Sequence, residues 1–397
     1  MIKKSLFIFV LIIASCSKKE VFVPEKQIII NPIANCEDGF AGEYPCNDYD
    51  LLTYVSLEDI GGVNTTITNC WGWSDPETNK EFALIGTNKG TTFIEITDPT
   101  TPIVLGSLNT KGNTIRDIKR YNSYALIINN DEVNGLQIFN LKALREVNET
   151  PVEFVSDTET RFKGSSKSIA INEQSMFAYI LGATKNGGGP FFYDIEKTHE
   201  ARLKGSYEEG AYANQAKVIT YNGLDADYIG KEIFVGSNNN EIVLLDVSDK
   251  ENPIKIATVT YSNINKTTKG AFTDDSNYFI VGDENDAENK TIVFDFSDLD
   301  NPVYLFDFNG TTNAIDNNGF VKGNIYYQTN STAGIRMLDI SNIENNIIKE
   351  VGFFDTHPEN DNPEAKGTSG IYPYLSSGNI LITDTERGFF VIRKKNS

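Results

Sequence analysis

The chain has 397 residues, 40% of them hydrophobic and 11% aromatic, which is enough for a large core and excludes a disordered chain. It carries 55 acidic against 35 basic residues, a net charge of −20, and such a field repels phosphate backbones. Nucleic acid is therefore not an expected partner. The only histidines, His199 and His357, leave little room for chemistry that depends on imidazole.

Residues 1–15 predict a lipoprotein signal peptide. Two lysines precede the apolar run Leu6–Ala14, which is too short to span a bilayer as a helix. The sequence Ile-Ala-Ser before Cys16 resembles the lipobox of bacterial lipoproteins, in which the peptide is cut before the cysteine and its thiol carries lipid; an ordinary signal peptide with a chance cysteine is the alternative. We expect residues 16–35 to be the lipidated cysteine and a flexible polar tether. The protein is then exported and anchored by lipid at the bacterial outer membrane or cell surface.

The positions of the other three cysteines indicate one disulfide and one free thiol. Cys36 and Cys46 bracket a loop containing Gly and Pro in an exported chain, so a disulfide closing the loop at 36–48 is predicted. Closing so short a loop would contribute roughly 2–3 kcal/mol. Cys70, beside Trp71, is left over and is interpreted as a small buried hydrophobic residue.

Residues 49–397 repeat with a period near fifty. Aligning copies of the LLDVSD motif on Asp246 gives matches separated by 45, 54, 52, 49 and 44 residues, at Glu95, Asn140, Asp194, Asp246, Asp295 and Asp339. A further copy is Asn379–Lys395, and an extra strand such as Gln215–Tyr221 precedes each unit. Periods of this length are typical of propellers and solenoids, and short strands rich in Val, Ile, Phe, Tyr and Thr predict sheets throughout.

Closure of the repeats favours a propeller over a solenoid, which needs polar caps. The last copy stops after three strands, and an unassigned strand, Leu51–Leu57, lies ahead of the first copy. Pairing the two removes an open edge. The prediction is an all-β, seven-bladed β-propeller of four-stranded antiparallel blades, with the last blade closed by the N-terminal strand. The Asp-rich turn at Asp246, Ser248 and Asp249 is expected to cap its own backbone.

The I-x-D-[VI]-S-D-x-x-N-P copies resemble the LVIVP repeat. Together with CEDGFAGEYPCNDYDLL, CWGWSDPETNKEFALIG and IRDIKRY, they make Cys36–Arg393 similar to the choice-of-anchor B family of secreted bacterial proteins. This resemblance implies a secreted or surface propeller with a variable anchor and no established activity. Similar proteins carry histidines at four inner-strand places, where this chain has Lys167, Asn214, Thr268 and Asn317. A histidine ring could hold zinc or copper, which these residues do not replace.

The inner strands also provide a candidate ligand site, because the first strand of each blade lines the central channel of a propeller. Basic groups there, inside an acidic protein, would attract carboxylates or sugar acids; the alternative is that they pair with one another and with water. The candidate residues are Arg116, Asp117, Lys167, Asn214, Lys217, Thr268, Lys269, Asp316 and Asn317.

The sequence offers little support for calcium binding or for catalysis. Acidic turns at Asp75–Asn79, Asn129–Asn134, Asp283–Asp286 and Asp384–Glu386 offer oxygen ligands for calcium, but none has calcium-loop spacing and solvated turns explain them. No nucleophile elbow, zincin or paired-carboxylate motif occurs, so no catalytic residue and no cofactor are assigned.

Two functions follow as hypotheses. The first is a monomeric, non-enzymatic binding or scaffold protein for a surface protein or glycan. The second is a propeller hydrolase or lyase acting on an acidic saccharide or lactone through the channel, which a convergent polar cluster with a strongly perturbed Lys167 or Asp316 would favour.

Overall fold

The computed structural model describes residues 33–110, 116–129, 135–160, 165–209, 213–238, 240–262, 264, 266–283 and 290–395. The predicted signal peptide, Cys16 and most of the tether lie outside these residues. Among the described residues the one α-helix is α1 (Leu57–Gly61), a single turn that Ser56 caps by accepting a hydrogen bond from the Asp59 amide. None of the described helices has the length and apolarity needed to cross a bilayer.

The strands follow one another along the whole described chain. In chain order they are β1 (Phe40–Ala41), β2 (Tyr44–Asn47), β3 (Tyr49–Ser56), β4 (Ile67–Ser74), β5 (Glu81–Thr87), β6 (Gly90–Glu95), β7 (Ile103–Asn109), β8 (Arg116–Tyr121), β9 (Tyr124–Asn129), β10 (Leu136–Asn140), β11 (Val152–Phe154), β12 (Thr158–Thr160), β13 (Ser168–Asn172), β14 (Phe177–Leu181), β15 (Phe191–Asp194), β16 (Arg202–Ser206), β17 (Gln215–Thr220), β18 (Glu232–Ser237), β19 (Ile242–Asp246), β20 (Ile254–Val259), β21 (Ala271–Phe272), β22 (Tyr278–Asp283), β23 (Lys290–Asp295), β24 (Val303–Phe308), β25 (Asp316–Lys322), β26 (Ile325–Asn330), β27 (Ile335–Asn342), β28 (Ile347–Phe354), β29 (Thr368–Tyr372), β30 (Ile380–Asp384) and β31 (Gly388–Lys394). Short 3-10 turns occupy Leu141–Leu144, Thr184–Asn186, Thr198–Glu200, Ser331–Ala333 and Ile343–Asn345.

These strands form seven four-stranded antiparallel blades, which confirms the predicted propeller. From the channel outward, blade 1 is β4-β5-β6-β7, blade 2 is β8-β9-β10-β12, blade 3 is β13 to β16, blade 4 is β17 to β20, blade 5 is β21 to β24, blade 6 is β25 to β28, and blade 7 is β29-β30-β31-β3. In blades 1 to 6 the inner strand comes first in the sequence and the outer strand last. Blade 7 differs because its outer strand, β3, comes from the N-terminal side of the chain.

Closure occurs as predicted, through antiparallel pairing of β3 with β31. The pairing runs from Tyr49 opposite Lys394 to Ser56 opposite Gly388, so the strand begins two residues earlier than Leu51. Alternate β3 residues are buried, because one face of the strand packs into the interface with neighbouring blades. This pairing covers the edge of β31, the third strand of the last blade, which would otherwise be open.

Two additions at the outer edges were not evident from the repeats. Strand β11 pairs parallel with β7 of blade 1, and β2 of the β1-β2 hairpin pairs with β28 of blade 6. The predicted disulfide between Cys36 and Cys46 is present and closes the chain around this hairpin, with 6.0 Å between the two Cα atoms. Cys70 is a free, buried thiol on β4, also as predicted.

The core lies between blades rather than within a single layer. Strands β5, β18 and β19 are buried along their whole length because neighbouring blades cover both of their faces. Aromatic rings join adjacent blades, as where Phe93 of blade 1 stacks on Phe139 of blade 2 with 4.8 Å between ring centroids. The Asp-rich turns cap their own backbone as expected: the Asp246 carboxylate accepts a hydrogen bond from the Ser248 amide at 3.0 Å.

Gly270 provides a test of packing behind the inner strands. A Cβ atom at this position would lie 2.1 Å from Cζ of Phe279, a fully buried ring. Replacing Gly270 with Ala is expected to reduce the free energy of unfolding by about 1–3 kcal/mol, measured by chemical denaturation, because the ring must move out of a well-packed site. Gly310→Ala is the matched control, since nothing lies within 4 Å of a Cβ atom there. Equal stability of both variants would contradict the packing argument.

A lysine cluster in the central channel

All seven inner strands contribute to two cavities in the central channel. The larger cavity, about 570 Å³, is lined by residues including Lys119, Lys217, Lys269 and Tyr372. The smaller, about 390 Å³, is lined by residues including Asp117, Lys167 and Asn214. Four residues line both cavities and so stand where the two meet: Trp71, Lys119, Lys269 and Phe320. We call Lys119, Lys217 and Lys269 the lysine cluster.

Asp117 anchors the lysine cluster to the scaffold. Lys119 is two residues further along β8 and therefore on the same side of the strand, and its Nζ lies 2.5 Å from Oδ1 of Asp117. Asp117 also accepts hydrogen bonds from Asn69 at 2.8 Å, the Ser168 hydroxyl at 2.7 Å and the Ile169 amide at 2.9 Å. These donors belong to blades 1 and 3, so the carboxylate joins three blades. Burial alone would raise the pKa of Asp117, but Lys119, Lys269 and the donated hydrogen bonds hold it below the usual value.

Lys217 and Lys269 have no such partner. Neither ammonium group has a hydrogen bond or an ion pair with any described residue, although the Glu173 carboxylate exerts a longer-range attraction on Lys217. Nζ of Lys269 lies 4.9 Å from the ring centroid of Phe320 and 5.8 Å from that of Trp71. Nζ of Lys119 lies 4.7 Å from the centroid of the same indole ring. The cluster thus combines the ion pair of Lys119 and Asp117 with two lysines that have no ion-pair partner among the described residues.

This crowding disfavours the charged amines. Burial, followed by repulsion from Lys119, lowers the pKa of Lys217. The same two causes hold the pKa of Lys269 well below its usual range, against the attraction of Asp117. Both lysines line the larger cavity and are only partly buried, so a ligand in this cavity can reach them. An anion entering the cavity would relieve the repulsion between them.

The other predicted site residues divide into two groups. Lys167 donates a hydrogen bond to Oδ1 of Asn214 at 2.8 Å, and both line the smaller cavity. Thr268 and Asn317 line neither cavity. Thr268 is buried with its hydroxyl 3.1 Å from the backbone of Gly282, so it fixes the start of the inner strand. The side chain of Arg116, the first residue of β8, lies outside the described part of the structure.

Asp316 lies away from the channel, in the interface between blades 5 and 6. Its carboxylate accepts hydrogen bonds from Thr291 of β23 and Asn330 of β26, both at 2.7 Å. Burial raises the pKa of Asp316 to about 6. Lys167 lines the smaller cavity whereas Asp316 lines neither, so the two residues that the hydrolase or lyase hypothesis offered as alternatives lie in different places.

Sequence reasoning missed three residues of the site: Lys119, Trp71 and Phe320. Lys119 could have been found from its spacing, because a residue two positions after Asp117 on a strand shares its side. Trp73 is buried, whereas Trp71 lines both cavities.

The described acidic turns serve the architecture. Both oxygens of Asp75 are bonded by the Arg145 guanidinium at 2.7 Å, so a cation of the protein itself neutralises this carboxylate. Asp384 accepts hydrogen bonds from the Thr356 hydroxyl and from two backbone amides. The turns predicted at residues 130–134 and 284–286 lie outside the described residues.

A further acidic group, not singled out in the sequence, comprises Asp225, Asp298 and Asp300, whose carboxylates lie within 4.8 Å of one another. Asp225 accepts hydrogen bonds from the Asp227 amide of its own loop and from the Leu299 amide of the other loop. Asp298 accepts one from the Asn301 amide, and Asp300 accepts one from the Tyr228 hydroxyl at 2.9 Å. These hydrogen bonds give the three carboxylates a structural role in holding the loops.

Comparison with known proteins shows the fold alone. No protein-family model matches the chain, and no curated protein matches it. A solved complex of KlAtg21 with the coiled coil of AgAtg16 is similar with a TM-score of 0.53 at 15% identity, over 84% of this chain and 95% of that chain. Kuenenia stuttgartiensis hydrazine synthase is similar with a TM-score of 0.55 at 12% identity, over 79% of this chain and 92% of that chain. Fold and site together define a seven-bladed β-propeller with a cationic central channel.

The lysine cluster should destabilise the folded protein at neutral pH. Below the ordinary lysine pKa of about 10.4, the unfolded chain binds a proton at Lys269 that the folded chain holds less readily. Lys269→Met is therefore expected to raise the free energy of unfolding near pH 7, with the gain shrinking as the pH approaches about 10.4. Denaturation of both proteins across this range measures it. Lys255→Met, on the exposed outer strand β20, should show no such pH-dependent gain; a gain that is constant with pH for Lys269→Met would contradict the electrostatic cause.

Proposed function

We propose that this protein is a binding protein of the bacterial cell surface whose channel takes a carboxylate group of a protein or glycan partner. The observation that carries the proposal is the lysine cluster: two of its ammonium groups, Lys217 and Lys269, have no hydrogen-bond or ion-pair partner among the described residues. A β-propeller is in general a scaffold for binding. Cations without partners in a cavity favour an anionic ligand.

Contrast with the rest of the molecule strengthens this reading. The whole chain carries a net charge of −20, yet the lysine cluster is positive. Arg120 adds a cation to the larger cavity and is paired with Glu173 at 3.2 Å. A local positive potential in a protein of negative net charge would favour anions at the channel. Binding should weaken with added salt.

The larger cavity also has the walls expected of a site for a ring-shaped ligand. At about 570 Å³ it falls within the usual range of ligand pockets, roughly 300–1,000 Å³. Trp71 contacts Tyr372 with 4.9 Å between ring centroids, and Tyr372 contacts Tyr374 at 5.7 Å. Aromatic faces beside cations suit a sugar ring that bears a carboxylate. A uronic acid residue of a surface glycan has this chemistry.

We further propose that the protein is exported and held at the outer membrane or cell surface by lipid on Cys16. The support is the lipobox-like sequence before Cys16 and the resemblance of Cys36–Arg393 to the choice-of-anchor B family, with the lipid as this member's anchor. The disulfide between Cys36 and Cys46 agrees with an oxidising compartment. A monomer suffices for this role.

Glucuronate binding to the full chain in mild detergent tests the channel site. Calorimetric titration should show binding to the wild type, and Lys217→Met should weaken it about 10–100-fold, because a charge-assisted hydrogen bond contributes roughly 1.5–3 kcal/mol. Lys255→Met, from the outer strand of the same blade, should bind as the wild type does. Glucose, which lacks the carboxylate, should bind more weakly than glucuronate. Equal affinities for the Lys217 and Lys255 variants would move the site out of the channel.

Metabolic labelling with palmitate tests the anchor. Cys16→Ala should abolish incorporation and release the protein from the membrane fraction, because it removes the thiol that carries lipid. Cys70→Ala is the control, since that thiol is buried within blade 1 and should leave labelling unchanged. Retention of Cys16→Ala at the membrane without label would show that another segment anchors the chain.

A further inference from the structure

Lys269 occupies an unusual position within the channel. It precedes β21 and lines both cavities, so a ligand in either cavity meets its amine. Hydrogen bonds of Thr268 with Gly282 fix the backbone just before it. The rings of Trp71 and Phe320 lie beside Nζ at 5.8 and 4.9 Å. No described carboxylate or carbonyl oxygen hydrogen-bonds this nitrogen.

Such surroundings are those of a nucleophilic lysine. An amine gains nucleophilic character when it is desolvated against apolar walls or lies next to another cation, because both effects favour the neutral form with its free electron pair. Lys269 has both features: the rings of Trp71 and Phe320 lie beside its amine, and Lys119, which contacts the same indole ring, is near enough for its charge to repel that of Lys269. The lowered pKa of Lys269 agrees with this geometry.

We infer that Lys269 forms a reversible imine with a ligand that carries a carbonyl group beside a carboxylate, a 2-oxo acid. This inference rests on the proposed function, because the rest of the lysine cluster supplies the attraction for the carboxylate. Lys217 has no hydrogen-bond partner among the described residues and lines the larger cavity with Lys269. Lys119 keeps its bond to Asp117 and adds positive charge. A carboxylate held there presents the adjacent carbonyl carbon to Lys269.

The chemistry balances without an oxidant or a reductant. The electron pair of the neutral Lys269 amine forms a bond to the carbonyl carbon, and the C=O π pair moves to oxygen, which takes up a proton lost from the nitrogen. The resulting carbinolamine expels its hydroxyl group as water, with one proton supplied by solvent, as the nitrogen electron pair forms the C=N bond. The product is a protonated imine, and water reverses both steps. Neighbouring cations also favour the neutral amine needed for the attack.

Borohydride trapping tests the inference on the full chain. The protein is incubated with pyruvate and sodium cyanoborohydride, and peptide mass spectrometry locates the reduced adduct. We expect the adduct at Lys269 at least tenfold faster than at exposed lysines such as Lys255. Lys269→Arg keeps the charge but not the nucleophile and should abolish trapping at this site, while Lys217→Met should slow trapping at least tenfold.

Lactate separates the inference from the proposed function, because it keeps the carboxylate and lacks the carbonyl. Lactate should bind the wild type and slow the trapping of pyruvate at Lys269, and a circular dichroism spectrum like that of the wild type should show that Lys269→Arg is folded. Lactate binding without an adduct at Lys269 would overturn the imine and leave the anion site standing. Failure of lactate, pyruvate and glucuronate to bind would overturn both.

The pH dependence provides a second test that needs no variant. The trapping rate at Lys269 should reach half its maximum at a lower pH than the rate at Lys255. The reason is that the lowered pKa of Lys269 lets its amine lose the proton at a lower pH. Equal midpoints for the two lysines would overturn the inference even if some adduct formed at Lys269.

Discussion

The pairing of β3 with β31 is the constraint on which the rest of the structure depends. It joins the two ends of a chain whose other blades each take their strands from one continuous stretch. Because inner strands meet around one axis only when the ring is closed, residues as far apart in sequence as Trp71, Lys119, Lys217, Lys269 and Phe320 line a common space through this pairing. The channel site is therefore a property of the closed ring rather than of any single repeat.

Closure brings like charges together, and the structure compensates for them only in part. Asp117 neutralises Lys119 and is itself held by donors from blades 1 and 3, so this pair is a joint of the scaffold. Lys217 and Lys269 receive no comparable partner. Folding alone would favour apolar residues at these two positions, because burial disfavours both charges. Their presence is easier to explain by binding than by stability.

Much of the fold was predictable because each repeat carries its own signals. Strand composition, the Asp-rich turns and the three-strand final copy together indicated the blades and their closure, and the cysteine spacing indicated the disulfide. For the site, the sequence predicted which strands line the channel but not which of their side chains point into it. Asp117, Lys167, Asn214, Lys217 and Lys269 line the cavities, whereas Thr268 and Asp316 turn into the blade interfaces. Neighbouring residues of an extended chain, such as Thr268 and Lys269, point to opposite sides, so an error of one residue in the alignment moves a side chain from the channel into a blade interface. The repeat alignment was not precise enough to decide between the two.

The distribution of charge connects the channel to the place where the protein is proposed to act. The negative net charge disfavours anions near the protein, whereas the lysine cluster would favour them at the axis. Trp71 sits at the junction of the two cavities and contacts Lys119, Lys269 and Phe320, so it can report on both. Occupation by an anion would pair the ammonium groups and alter the surroundings of this indole. We therefore propose that the lysines that weaken the fold also make the channel selective for anions.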